Sequence, residues 1–498
     1  MRHLHRGDRP SPYPQGAGPV HRRDRRRPGQ GRGIEVGSGG RRDGDPLHGA
    51  LGTGAAEGFL GLGPLPGAAG APRRQAGHVA GGRLGAPLLR RGSASRPRGE
   101  GPAAGGRRPV RRLADPAVSL ARSEIRVLFD RAATRPDTIR LEVGEPSFPT
   151  PEHIVAGAHA AARAGWTGYG PNGGLDSLRE LLSAKVEEVD GYAAHPDRIV
   201  VTPGGMNALF STYFALLNPG DEVLLPTPGF PNMDGMVRLL GGTPVFYHLE
   251  ASNGFLPDPE RLGALISDRT TMLFVNTPSN PTGSVFPAVL MRELVELCDR
   301  HDMWLLSDEV YDELVLDETA RHTAAARYDE EDRVISVYSF SKVYAMTGWR
   351  VGYAVAPPPV ADLLRKLQEP QLSCPSTISQ KAAEAALLGP REPIRAMLAA
   401  YRRRRAVAVR TATEAGLELV APTGTIYMLV KVNTHGRSMM QFALDLLDRR
   451  GVSVAPGSVF GPGGDGYVRI SLAADRDRIT EGLRRLAAAC REKTLVRA

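Results

Sequence analysis

From residue 198 onward, short apolar runs recur along the chain. They are Ile199-Val200-Val201, Val223-Leu224-Leu225, Val245-Phe246-Tyr247, Met272-Leu273-Phe274-Val275, Trp304-Leu305-Leu306, Val334-Ile335-Ser336-Val337 and Val351-Gly352-Tyr353-Ala354-Val355. Several of the intervals between them, such as 206–217 and 288–298, carry the apolar spacing of a helix instead. Strands that are apolar at nearly every position must be covered on both faces. Alternation with helices supplies that cover, so the pattern predicts an α/β fold with a seven-stranded, mostly parallel sheet.

Upstream, the spacing predicts a helix over 115–133, a strand running from Ile139 into the turn at Pro146, a helix over 151–164 and another starting near Leu175. Downstream, Cys374-Pro375 opens a long helical stretch through Tyr401. The run Arg402-Arg403-Arg404-Arg405 that follows is expected on a solvated helix face. The last hundred residues alternate strand and helix and predict a smaller α+β unit. The expected divisions are 1–110 as a disordered segment, 111–165 as the N-terminal part of the small domain with its linker, 166–385 as the large domain, and 386–498 as the C-terminal small domain.

Composition changes this picture in one place. Residues 1–110 hold 27 of the 58 glycines, and 20 Arg against 7 acids give them a net charge of +13, leaving −4 on the other 388 residues. The basic balance of the chain therefore belongs to this segment and argues against nucleic acid as a partner of the folded part. Such a composition cannot bury enough apolar surface to offset the entropy of ordering. Met206 is the first methionine after Met1, and the Arg/Gly/Pro/Ala bias is what a GC-rich gene gives upstream of its true start, so translation is expected to begin near Val110. Cys298, Cys374 and Cys490 are far apart, without paired spacing, which fits a reducing, cytoplasmic setting and offers no metal site. No apolar run reaches membrane-spanning length.

The chemistry concentrates at strand ends. Ser339-Phe340-Ser341-Lys342 follows one apolar run, and Gly348-Trp349-Arg350 precedes the next. A lysine ending a buried strand is costly to keep charged, and a neutral amine condenses with an aldehyde. Serines with a planar cation suit a phosphate. Aldehyde and phosphate on one small molecule point to pyridoxal phosphate. Thr202-Pro203-Gly204-Gly205-Met206-Asn207 opens a helix whose free amides suit a phosphate. Asn280, in a Pro/Gly loop, offers an amide to a phenolate oxygen. Asp308 and Tyr311, in Ser307-Asp308-Glu309-Val310-Tyr311, offer a carboxylate to a pyridine nitrogen and a phenol close by.

These pieces resemble the fold-type I, pyridoxal-phosphate-dependent class I/II aminotransferases, the aspartate aminotransferase-like family. The resemblance covers about residues 115–490. Asn280-Pro281-Thr282-Gly283, the run ending in Tyr311 and the lysine motif stand in family order, with 28 residues from Asn280 to Asp308 and 34 from Asp308 to Lys342.

By resemblance, Lys342 is the Schiff-base lysine and general base. Asp308 is the partner of the ring nitrogen, and Asn280 and Tyr311 contact the ring hydroxyl. Ser339, Ser341, Arg350 and the amides of Gly204, Gly205 and Met206 form the phosphate cup. Phe230 stacks on the ring, and Tyr169 reaches the phosphate of a neighbouring subunit, which implies a homodimer. Arg469 takes the substrate α-carboxylate, and Gly144 lines the same pocket.

The implied activity is ping-pong transfer of an amino group between an L-amino acid and a 2-oxo acid. Some aspartate-using relatives carry a lysine where Met206 stands, so Met206 tilts the donor toward a neutral or aromatic amino acid. A β-lyase, decarboxylase or ring-forming synthase would use the same lysine and ring. A regulator with an aminotransferase-like sensor would need a periodic DNA-binding unit before residue 115, and the Gly/Pro-rich composition opposes one.

Overall fold

The computed structural model describes residues 113–120 and 124–492; the segment 1–110 lies outside them. In chain order the strands are β1 (Ile139–Arg140), β2 (Ile199–Thr202), β3 (Glu222–Thr227), β4 (Thr243–His248), β5 (Thr270–Asn276), β6 (Trp304–Asp308), β7 (Val334–Ser339), β8 (Gly352–Val355), β9 (Tyr427–Lys431), β10 (Val452–Ser453), β11 (Ala455–Pro456) and β12 (Tyr467–Ser471).

The seven apolar runs are the strands of one sheet, ordered β2-β8-β7-β6-β5-β3-β4. Alternate side chains leave each strand on opposite faces. Leu224, Leu273, Val275 and Leu305 enter one apolar cluster. Their neighbours Val223, Leu225, Met272, Phe274 and Leu306 enter another. Each such side chain, buried from water, is worth roughly 1.5–3 kcal/mol before entropy is counted. Two covered faces explain why the runs are apolar throughout.

Neighbouring strands are parallel except around β8, which runs antiparallel to both β2 and β7. A parallel return would need a packed crossover helix. The twelve residues between β7 and β8 hold only the helix Phe340–Val343 and the turn Thr347–Trp349, so the chain doubles back. Lys342 and Arg350 are thereby placed at the carboxyl end of β7, beside the ends of β5 and β6, where Asn276 pairs with Asp308. Ligands bind at this edge of an open α/β sheet.

C-terminal to this sheet, β11-β12-β9 form a second, antiparallel sheet, and β1 pairs in parallel with β10. Helices Glu392–Glu414, Met439–Arg450 and Arg476–Arg491 complete this part. The chain between β1 and Pro146 is not the longer strand that the sequence predicts. Only its first two residues pair with β10; Leu141 O then accepts from Ser471 N, and the rest enters the site as a loop.

Three further expectations are corrected. The helix expected over 115–133 is two helices, Asp115–Ser119 and Glu124–Ala133, because Leu120 turns extended and its side chain lies over Gly235. The stretch from 377 breaks at Gly389-Pro390, where proline removes a backbone donor, into Thr377–Leu388 and Glu392–Glu414.

The arginine run is not a solvated face. Arg404 is buried; it donates to Ser147 Oγ at 2.8 Å and Leu472 O at 3.1 Å, and its guanidinium lies over the Phe148 ring. Arg405 pairs with Asp317, Arg402 donates to Val315 O, and Arg403 alone of the four is exposed.

Candidate active site

Lys342 does not end a strand, as its flanking runs suggest, but sits in the four-residue helix Phe340–Val343. Ser339 caps that helix by accepting from Ser341 N at 3.1 Å, the residue type an N-cap favours. The helix aims the lysine amine back across the chain, where Nζ donates to Gly144 O at 2.5 Å. The same carbonyl accepts from Tyr427 Oη at 3.2 Å, and Tyr311 Oη lies 3.3 Å from that hydroxyl. Gly144 tolerates this crowding because it has no Cβ, which would stand 2.9 Å from Tyr427 Oη.

Asp308 closes β6 and is buried, with Val310 N donating to Oδ1 at 3.4 Å. Burial pushes its carboxyl up to about 7; Glu309's charge adds to this, while the Val310 hydrogen bond and Lys342 oppose it. A buried carboxylate held this way gains from a cationic partner. Next to it, Asn276 Nδ2 donates to Asp308 O at 2.9 Å and Asn276 Oδ1 accepts from Asn280 N at 2.7 Å, which positions the Asn280 loop.

Arg469, on β12, reaches the same place from the second sheet. Nη1 donates to Asn280 Oδ1 at 3.0 Å and Nη2 to Glu142 O at 2.9 Å, with the rings of Tyr427 and Phe460 at 4.2 and 5.0 Å. Its Nε is buried and has no protein partner. A buried guanidinium with an unmet N–H fits a carboxylate from outside the chain.

Sequence reasoning does not single out Tyr427, yet its hydroxyl joins Gly144 and Tyr311 and its ring lies under Arg469. Burial pushes its phenol up, but the Lys342 and Arg469 cations and the Tyr311 hydrogen bond more than reverse this, and it ends below the ordinary tyrosine value. Burial, with the charge of Tyr427, drives Tyr311 the other way. No local sequence signal marks it: Tyr427 opens an apolar strand like a core residue, and Thr425 just before it takes a positive φ of 61°.

A second cluster forms at the start of the helix Gly205–Leu216. Gly204 has φ +83°, and a Cβ there would stand 2.4 Å from Arg350 Nη2. A Cβ on Gly205 would meet Val310 and Ser339. The first turn of this helix, Ser339 and the Arg350 guanidinium are thus neighbours, close enough that a side chain on Gly204 would strike the arginine. Ser341 is buried beside them and Met206 is half-buried on the first turn. That set suits a phosphate. Together with Lys342 and the buried Asp308 carboxylate, the residues fit pyridoxal phosphate.

Phe230 is half-buried against the apolar cluster that contains Val337 and Leu306, and it lines a groove of about 870 Å³ with Phe210, Phe246 and Phe460. Tyr169 is 79% exposed on the loop before Pro171.

Residues 136–486 match the family model for aminotransferase class I and II. The aspartate aminotransferase of Pyrococcus abyssi is 38% identical over 376 residues, covering 75% of this chain and 97% of that protein. Aromatic-amino-acid aminotransferase 2 of Thermococcus litoralis is 36% identical over 387 residues, covering 77% and 100%. Among solved structures, the aspartate aminotransferase of Thermus thermophilus with maleate superposes with a TM-score of 0.73 at 34% identity, over 76% of this chain and all of that one. The chain belongs to the class I and II aminotransferases, as a fold-type I enzyme dependent on pyridoxal phosphate.

Proposed function

We propose that the two clusters act together as one transamination site, in which Lys342 is the base and a neutral or aromatic L-amino acid is the favoured donor. The observation that carries this is the meeting of Lys342, Gly144, Tyr311 and Tyr427 on one side of Arg469 and Asn280. Bound here, pyridoxal phosphate supplies an electron-withdrawing ring that stabilises negative charge at the substrate α-carbon.

The chain does the rest. Arg469 and Asn280 hold the α-carboxylate, the guanidinium as a planar fork. Lys342, oriented by Gly144 O, takes the α-proton and returns it across the transferred nitrogen, so one amine serves as base and then acid. Asp308 would keep a proton on the ring nitrogen, and Asn280 and Tyr311 would donate to the ring hydroxyl. The amides of Gly204, Gly205 and Met206, with Ser339, Ser341 and Arg350, would hold the phosphate, and Phe230 would cover the ring. Release of a 2-oxo acid before the acceptor enters gives ping-pong kinetics.

Tyr169 is the contribution of a second copy of the chain in a homodimer, and its exposure supports that role. The unpaired cysteines support work in a reducing, cytoplasmic setting.

Met206 supports the donor class, since a thioether at the first turn of Gly205–Leu216 cannot pair a second carboxylate. Measurement of kcat/KM for phenylalanine, leucine and aspartate with a common acceptor tests this. A preference for aspartate would overturn the donor assignment and leave the transaminase assignment standing.

A further inference from the structure

Among the described residues, a set of buried titratable groups that this mechanism does not use begins at the residue after Asp308. Glu309 is fully buried, and four donors converge on its carboxylate. Ser336 Oγ and Ala325 N stand 3.0 and 3.3 Å from Oε1, and His322 Nε2 and Tyr338 Oη 3.0 and 3.2 Å from Oε2. Tyr192 Oη meets Tyr338 Oη at 3.2 Å. Asp190 lies close by; its Oδ2 accepts from Lys185 Nζ at 2.9 Å, and Lys185 also pairs with Asp312. Asp190 Oδ1 and His322 Nδ1 are buried without a partner.

Ligand-type atoms of Asp190, Glu309 and His322 lie within 4.8 Å of one another. They do not make a good metal site, because both Glu309 oxygens already take two donors each and an ammonium stands on Asp190. Asp190 and Asp312 pair with Lys185, which also feels Glu313, itself paired with Arg391. The cation that faces Glu309 is His322 when protonated. Burial lowers the proton affinity of that imidazole, but the hydrogen bond to Glu309 and the charges of Glu309, Asp190 and Asp312 outweigh it.

Asp308 and Glu309 are consecutive, so the two carboxyls share one low-dielectric region while facing different partners. Asp308 is faced by Lys342 from the short helix after β7, by Tyr213 from the helix Gly205–Leu216, and by Tyr311 from its own loop. Glu309 is faced by His322, Tyr338, Tyr192 and Asp190, with Lys185, Asp312 and Tyr353 behind them.

We propose that Glu309 and His322 are positioning residues that act through Asp308: the Glu309 charge holds the proton shared by Asp308 and the cofactor's ring nitrogen, and His322 sets how much of that charge is felt. This rests on the assignment of Asp308 as the ring-nitrogen partner. At an effective dielectric near 20, one charge several ångströms away moves a proton equilibrium by about one pH unit or more. The alternative is that the pair only ties the loop at His322 to β6 and β7.

The test uses holoenzyme loaded with pyridoxal phosphate carrying 15N in the ring, and follows the 15N chemical shift with pH. Glu309→Gln is expected to lower the midpoint of ring-nitrogen deprotonation by about one pH unit. His322→Gln leaves Glu309 uncompensated and is expected to raise it. Opposite movements are not what a tie between loop and sheet would give. If Glu309→Gln does not fold, His322→Gln decides: a raised midpoint supports the proposal, and an unchanged or lowered one overturns it. Asp308→Asn separates the two layers of the argument. If it shifts the midpoint while both cluster variants keep the wild-type value, the proposal fails and the Asp308 assignment stands. If it changes nothing, both fail.

Discussion

Arg469 Nη1 donates to Asn280 Oδ1 across 3.0 Å, joining a strand of the second sheet to the loop that follows β5. Through that bond the group that would hold the substrate carboxylate also orients the amide that would meet the cofactor. Lysine cannot replace a planar fork that uses several N–H groups at once. Arg469→Lys is therefore expected to lower kcat/KM for every donor on the order of 10²–10³-fold, equivalent to about 3–4 kcal/mol. Steady-state kinetics with two unrelated donors check this; a loss confined to one donor would place Arg469 in side-chain selection instead.

Lys342→Ala should remove the long-wavelength absorbance of lysine-bound cofactor and cost on the order of 10⁴ in turnover, the scale of a lost general base. Absorbance spectra and single-turnover rates test it together. A variant that keeps both would take Lys342 out of the mechanism.

Asp308 gives the apoprotein a pH signature. Its carboxyl rises from an ordinary 3.8 to about 7 on folding, chiefly through burial. An acid raised in this way adds stability that is complete below about pH 4 and is withdrawn as pH climbs to about 7, at up to about 1.4 kcal/mol per pH unit. Asp190 titrates in the same window, so the quantity to read is the difference between wild type and Asp308→Asn. Denaturant unfolding of the two apoproteins from pH 4 to 8 should show the variant losing less stability as pH rises.

Tyr427 is expected to be the most acidic phenol of the Lys342 cluster, because two cations face it. Ultraviolet difference titration of Tyr427→Phe apoprotein should lack a tyrosine that ionises below the ordinary range. Turnover should fall about tenfold, in keeping with one hydrogen bond of roughly 1–1.5 kcal/mol. An unchanged titration would assign the acidic phenol elsewhere.

Arg404→Met should destabilise the chain by roughly 2–3 kcal/mol, since it leaves the Leu472 carbonyl and Ser147 without their buried donor. The midpoint of chemical denaturation measures it. A change below about 0.5 kcal/mol, the range of ordinary surface substitutions, would return Arg404 to the solvated role its sequence suggests.

The sheet was legible because burial leaves a nearly continuous apolar run at each strand, from Ile199 to Val355. The chemistry of Lys342, Asp308 and Asn280 was legible because each stands beside proline or serine at or just past a strand end, where side chains seldom serve the core alone. Tyr427 was not, because an aromatic residue opening an apolar strand looks like core, and its partner Gly144 stands far away in sequence. His322 was equally silent: thirteen residues separate it from Glu309, and nothing local announces the pairing. The arginine run misled for a related reason. Composition reports charge, but what Arg404 and Arg405 meet depends on carbonyls and carboxylates brought in from distant segments.

The most direct test of the account is one half-reaction. Holoenzyme is mixed with a panel of amino acids in the absence of any acceptor, while the cofactor spectrum and the released products are followed. The account predicts stoichiometric conversion of the cofactor to its amine form with release of the matching 2-oxo acid, fastest for a neutral or aromatic donor. Release of ammonia, carbon dioxide or a cyclised product, with the cofactor unchanged, would contradict it and assign the site to a lyase, decarboxylase or synthase built on the same fold.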